Sequence, residues 1–170
     1  MKYSQELIDQ AYFYRDNELL EADKLNVSWH DPFDEAKFFI SGSSVKDEHH
    51  FYRLYNHELD SIRLISRDVS YLATHSSGIQ IHFKTNSRIV KLRVINTEPY
   101  EMKNMTFMAS SGFDSYYRNV GEKEWKFNTA TFPNFIDTKK WIGYAAAFVS
   151  KKDREIILNY ISYLRLECNL

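Results

Sequence analysis

Ile79-Gln80-Ile81-His82-Phe83-Lys84-Thr85-Asn86-Ser87-Arg88-Ile89-Val90-Lys91-Leu92-Arg93-Val94 decides the fold class. Ile79, Ile81 and Phe83 alternate with Gln80, His82 and Lys84, and Val90, Leu92 and Val94 alternate with Lys91 and Arg93. A period of two belongs to a strand buried on one face, because successive side chains leave the backbone on opposite sides. Thr85-Asn86-Ser87-Arg88 is turn-like and short enough for a hairpin, so the two runs are expected to pair with each other. Trp125-Lys126-Phe127-Asn128 alternates again after the turn Asn119-Val120-Gly121-Glu122. The stretch from Arg154 to Cys168 is rich in Ile, Leu and Tyr, with Leu164, Leu166 and Cys168 on one strand face. Many short strands with little sustained helical pattern specify an all-β fold, a jelly-roll-like antiparallel β-sandwich. The exception is the start of the chain. Leu7, Ile8, Ala11 and Tyr12 have helical spacing behind Ser4 as an N-cap, so residues 1–24 are expected as a short helical appendage and residues 25–170 as the sandwich.

A chain of 170 residues with 44% hydrophobic and 26% charged content suits one domain with a sizeable core. A net charge of −1 supplies no global field, so neither nucleic acid nor an anionic membrane is expected as a partner. No apolar run reaches membrane length. Lys2, Glu6, Asp9, Arg15, Asp16 and Glu18 interrupt the first twenty positions, so no signal peptide is read and a cytoplasmic location is expected. Cys168 is the single cysteine, which leaves stability to packing.

Met102-Lys103-Asn104-Met105-Thr106-Phe107-Met108-Ala109-Ser110-Ser111-Gly112-Phe113-Asp114-Ser115-Tyr116-Tyr117 is the most specific run. Gly112 can take a positive φ, which suits a turn ahead of a strand that buries alternate positions from Phe113 to Tyr117. This run resembles the Gly-x-Asp-Leu-Tyr signature of the N-terminal domain of SGNH-type (GDSL-like) esterases and lipases. Gly112, Asp114 and Tyr116 match, and Ser115 stands where the family more often has Leu. Phe51-Tyr52-Arg53-Leu54 resembles the family's entry segment. Val69 to Ser87 resembles its next block, with Leu72-Ala73, a turn at Gly78 and a strand ending Phe83-Lys84-Thr85-Asn86-Ser87. Asn86 replaces the usual Asp. The matched blocks run from about residue 51 to 118. The resemblance implies the same β-sandwich and a two-domain hydrolase, in which the sandwich packs on a catalytic SGNH domain that this chain lacks. It also implies a cleft that handles a carbohydrate-linked acyl ester.

Acyl transfer by a serine needs a nucleophile on a sharp turn, a base, an orienting acid and oxyanion donors. No Gly-Asp-Ser element and no Gly-x-Ser-x-Gly elbow occurs in the sequence. No catalytic residue, metal ligand or cofactor is therefore assigned. Asp47-Glu48-His49-His50 contains Asp-x-x-His, yet it precedes every recognisable block, whereas the family's pair follows the nucleophile; it reads as a solvated loop. His49, His50 and His57 match no zinc spacing. His75-Ser76-Ser77-Gly78 reads first as a turn, with contact between His75 and a neighbouring domain or ligand as the functional alternative.

Asp114 needs a partner if it is buried within an aromatic strand. It either fixes strand register or meets a sugar hydroxyl. Tyr116, Tyr117, Trp125 and Trp141 could stack on a pyranose, although most such aromatics are core. The Met102, Met105, Met108 stretch reads as an adaptable loop suited to interdomain contact rather than thioether coordination. The expected contact residues are thus His75, Met105, Asp114, Tyr116 and Trp125. The expected partners are a catalytic SGNH domain, a carbohydrate, or a second copy in a homodimer. An independent carbohydrate-binding module is the competing reading.

Overall fold

The computed structural model describes residues 28–34, 36–46, 51–96, 104–133, 140–160 and 166–169. The expected N-terminal helix, Asp47 to His50, Met102 and Leu164 lie outside the described residues. The element order is β1 (Phe38–Ser41), β2 (Val45–Lys46), β3 (Phe51–Tyr52), α1 (Asn56–Ile65), α2 (Arg67–Ala73), β4 (Gln80–Thr85) and β5 (Ile89–Asn96). It continues through α3 (Phe107–Ser111), β6 (Phe113–Asn119), β7 (Lys126–Thr131), β8 (Lys140–Ala147), β9 (Arg154–Tyr160) and β10 (Leu166–Asn169).

A five-stranded sheet runs β1-β4-β9-β6-β7 and a three-stranded sheet runs β10-β5-β8, with β2 and β3 as a separate pair. Every pairing is antiparallel. Ile81, Phe113, Ile156 and Leu158 from the first sheet share one core with Leu92, Val94, Trp141 and Ala146 from the second. The expected all-β sandwich is the observed fold.

The expected hairpin is not. β4 pairs with β1 and β9, and β5 pairs with β8 and β10. Residues 86–88 therefore form an arch that carries the chain from one layer to the other. A hairpin would put both apolar rows on one sheet and leave them without an opposing layer. The arch instead sets Ile79 and Ile81 in one core with Leu92 and Val94, all fully buried. Thr85 Oγ1 accepts from the Ser87 N–H at 3.0 Å, and the Phe148 N–H donates to Arg88 O at 2.7 Å to start the second sheet.

Two helices between Phe51 and Gly78 interrupt the run of strands, which the sequence reading did not anticipate. The Tyr55 N–H donates to Glu58 Oε2 at 2.7 Å at the start of α1, and Ser66 Oγ accepts from the Val69 N–H at 3.3 Å at the start of α2. These caps satisfy amides that helix geometry leaves open. Only Leu59 of α1 and Ser70 of α2 are buried, so the pair carries a very thin apolar stripe. No helix among the described residues is long and apolar enough to cross a membrane.

Gly112 has φ −103°, so it is not the left-handed turn residue that its position suggested. Close approach explains it. A Cβ there would stand 2.3 Å from Met108 O and 3.0 Å from Thr131 O. Gly78 does adopt the left-handed region, at φ +84°.

A candidate binding face on the five-stranded sheet

Strand alternation sends Phe113, Ser115 and Tyr117 inward from β6 and leaves Asp114, Tyr116 and Arg118 on the opposite face. β9 behaves likewise, burying Arg154, Ile156, Leu158 and Tyr160 and turning Glu155, Ile157 and Asn159 outward. The sheet register then aligns residues far apart in sequence into rungs. Ser41, Gln80, Asn159 and Asp114 form one rung; Phe39, His82, Ile157, Tyr116 and Phe127 form the next; Lys84, Glu155 and Arg118 form a third.

The first rung is a hydrogen-bonded ladder whose direction is fixed from one end. A carboxylate only accepts, so Asn159 turns its amide nitrogen to Asp114, and Nδ2 donates to Oδ1 at 2.7 Å. Asn159 Oδ1 then accepts from Gln80 Nε2 at 2.7 Å, and Gln80 Oε1 accepts from Ser41 Oγ at 3.0 Å. Ser41 has directed its proton to the amide. His82 Nε2 lies 3.0 Å from Ser41 Oγ and 3.2 Å from Gln80 Oε1, where an N–H on that nitrogen would serve both oxygens. Burial lowers the His82 pKa, which favours the neutral ring.

This direction matters because Ser41 and His82 would otherwise pass for a nucleophile and its base. A catalytic imidazole must accept the serine proton, whereas here the Ser41 hydroxyl is directed to Gln80 Oε1. Among the described residues no carboxylate bonds His82 Nδ1 to orient it. The ladder aligns these side chains across four strands.

Aromatic rings flank it. Phe39 lies tilted against His82 with centroids 5.4 Å apart, and Tyr116 meets Phe127 edge-on at 5.7 Å. Phe39 and Phe127 are exposed, and Tyr116 and His82 are half-buried. In the third rung Arg118 Nε donates to Glu155 Oε2 at 2.6 Å, Arg118 Nη2 bonds the same oxygen at 2.5 Å, and Lys84 Nζ reaches Oε1 at 3.3 Å. The Arg118 bond holds the Glu155 carboxyl below its ordinary range despite the opposing effect of burial. The Arg118 guanidinium sits 4.6 Å over the Trp125 ring. Beside this rung a cavity of about 700 Å³ opens between the end of β4, the arch and the start of β9.

Of the expected contact residues, Asp114, Tyr116 and Trp125 come together at this face. Asp114 has the register-spanning partner that its burial demands. His75 and Met105 have other surroundings. His75 is buried, its Nδ1 lies 3.1 Å from Tyr71 O and 3.2 Å from Leu72 O at the end of α2, and its ring meets Tyr71 edge-on. Met105 is half-buried in the turn before α3, and Thr106 Oγ1 caps that helix by accepting from the Ala109 N–H at 3.3 Å. The stretch read as an adaptable loop thus includes a helical turn. Trp141 and Tyr117 pack with the core, against Phe113 and Phe148 respectively. Ser41, Gln80, His82 and Asn159 had not been singled out; their signal was the polar half of each alternating strand.

The family model for the N-terminus of SGNH-hydrolase-type esterases, named GxDLY, matches residues 27–167. The chain belongs to this family. The GxDLY fold is shared with a GDSL-like lipase from Bacteroides ovatus, with a TM-score of 0.67 and 22% identity over 85% of this chain and 40% of that one. It is shared also with the salicylyl-acyltransferase SsfX3 from a tetracycline biosynthetic pathway, with a TM-score of 0.55 and 16% identity over 84% of this chain and 39% of that one. This chain therefore spans about two fifths of the length of either solved relative. Among curated proteins none matches the sequence.

Proposed function

We propose that this GxDLY domain is the noncatalytic accessory domain of an SGNH-type esterase, and that its outer sheet face holds the carbohydrate part of an acylated substrate. The observation that carries the reading is the Ser41–Gln80–Asn159–Asp114 ladder bordered by Phe39, Tyr116 and Phe127. Rigid amide and carboxylate groups beside aromatic rings suit a sugar, which offers hydroxyls at its edge and C–H groups on its faces. The Ser41 hydroxyl, directed to Gln80 rather than to His82, argues against ester cleavage by this chain alone.

Docking on a catalytic SGNH domain is assigned to the α1–α2 pair. Leu64 and Ile65 are 91% and 89% exposed, and Val69 and Leu72 are exposed beside them in sequence. Large apolar side chains exposed on a helical excursion suit an interface. The partner follows from the family, whose members form the N-terminal part of esterases, and from the two-fifths coverage of the solved relatives.

The test has two arms. The purified chain should leave p-nitrophenyl acetate unhydrolysed, and it should bind an SGNH catalytic domain from the same genome in a pull-down that Leu64→Glu with Ile65→Glu abolishes. Ester turnover that tracks with the folded chain overturns the noncatalytic reading. Glycan binding without any capture of the catalytic domain would instead favour an independent carbohydrate-binding module, which the same sheet face also supports. Concentration-dependent dimers sensitive to the double substitution would assign the helices to self-association.

A further inference from the structure

The cavity beside the arch differs in chemistry from the ladder to which it is joined through His82. Its wall includes Lys37, Lys84, Lys91 and Arg118 as cations, Phe39 and Trp125 as aromatic surfaces, and Glu155 as carboxylate. Glu155 is engaged at both oxygens: one accepts twice from Arg118 and the other meets Lys84. Thr85 Oγ1 is committed to the Ser87 N–H. The donors are not used up. Arg118 Nη1 has no partner among the described residues, and the Lys84 ammonium, on a side chain 74% exposed, holds only the single contact to Glu155. Lys37 is balanced by Asp34 at 3.2 Å and Lys91 lies 4.6 Å over the Tyr144 ring, while Lys84 and Arg118 share the single Glu155 carboxylate, which leaves a net positive charge at that pair.

A wall that offers open cationic donors beside a carboxylate already engaged at both oxygens complements a ligand rich in acceptors. Arg118 is also held for that task. Two of its nitrogens grip Glu155 and Trp125 supports its plane at 4.6 Å, so little side-chain freedom remains to be lost on binding. Phe39, 66% exposed at the rim, offers an apolar ring of a size that suits a pyranose. The volume, about 700 Å³, lies within the usual span of small-ligand sites.

We propose that this cavity binds a carboxylate-bearing sugar, whose acid group is held by Arg118 and Lys84 and whose ring lies against Phe39. The inference rests on the carbohydrate reading above and narrows it: the substrate carries an acidic sugar close to the acylated one. The Ser41 to Asp114 ladder reads hydroxyls, and the cavity reads charge. Nothing in the wall is required to move.

Isothermal titration of the full chain with D-glucuronate, D-glucose and inorganic phosphate tests it. Glucuronate is expected to saturate, with glucose and phosphate each weaker by about tenfold or more, since each lacks either the charge or the ring. Lys84→Gln and Arg118→Gln should weaken glucuronate by about five- to tenfold, and Phe39→Ala should weaken glucuronate while leaving phosphate unchanged. Lys84→Gln keeps the test valid if Arg118→Gln disturbs the fold, because the Lys84 side chain is largely in solvent. Equal binding of glucose and glucuronate overturns the inference and leaves the accessory-domain reading standing. Equal binding of phosphate and glucuronate overturns the sugar assignment. Glucuronate binding that ignores both cation substitutions, or no glucuronate binding at all, overturns the site.

Discussion

Asn159→Asp replaces the NH2 that faces Asp114 with an oxygen while leaving side-chain volume almost unchanged. The 2.7 Å hydrogen bond becomes a contact between two carboxylates. Losing a hydrogen bond to a charged acceptor costs about 1.5–3 kcal/mol. Two unit charges about 4 Å apart add roughly 1–4 kcal/mol of repulsion as the effective dielectric constant falls from that of water to about 20. Both side chains are half-buried, so we expect a total near 3 kcal/mol at neutral pH, or about 6–12 °C in Tm for a chain of this size.

The sign of the pH dependence is diagnostic. Adjacent carboxylates share a proton, so the pair in the folded variant binds a proton at a pH where the unfolded chain has released it. The deficit is therefore relieved by acidification and grows as pH rises through the folded pair's upper pKa. Asp114→Asn is the control. Its amide oxygen still accepts from Asn159, so we expect a loss below about 1 kcal/mol. Thermal melts followed by circular dichroism at pH 7.5 and pH 4.5 read both effects. The ladder as described would be refuted by an Asn159→Asp chain that melts with wild type at pH 7.5, by a deficit equal at both pH values, or by Asp114→Asn being equally damaging.

Gly112→Ala should destabilise by about 1–3 kcal/mol, because its Cβ would overlap the backbone of α3 and β7; a Tm shift in the same assay reads it. Arg154→Ala should destabilise through lost packing and orphaned carbonyls. Its guanidinium lies 3.9 Å over the Phe148 ring and donates to Ser150 O at 3.0 Å and Lys152 O at 3.1 Å, and urea denaturation should give a loss of about 2 kcal/mol. Lys126, with Asn119, holds the Glu122 carboxyl at about 2, and Arg118 lowers that of Glu155, both below an ordinary value of 4.5. Their stabilisation is therefore present above about pH 4.5 and lost as pH falls toward the folded values. Glu122→Gln should flatten the acid limb of a Tm–pH profile, an effect weakened by salt because that pair is solvent-exposed. His82 acts in the same sense at higher pH. Its lowered pKa contributes stability above about 6.5 that is lost on acidification, so His82→Gln should flatten that limb.

What alternation specifies locally was readable in advance. Ile79, Ile81, Leu92 and Val94 announced two half-buried strands, and the turn at Gly121, with φ +94° and a Glu122 N–H to Asn119 O bond of 2.9 Å, joins β6 to β7 where expected. Which strand pairs with which was not readable, because an arch and a hairpin have the same composition. The helices at 56–73 were missed since their apolar stripe reduces to Leu59, and the cap at Ser66 was the better signal. Asp114 stood out alone. The rest of its ladder comes from positions 41, 80 and 159, and only sheet register brings them to one rung.

The place of β9 in the sheet sets an order on assembly. It lies between β4 and β6, yet both precede it in the chain, β4 by about seventy residues. A nascent polypeptide halted before Arg154 can build β1 with β4 and β6 with β7, two separate pairs. Each would present an unsatisfied inner edge with no neighbour to meet it, a template for pairing with other chains. Synthesis rate between β7 and β9, and chaperone occupancy during that interval, should therefore influence soluble yield.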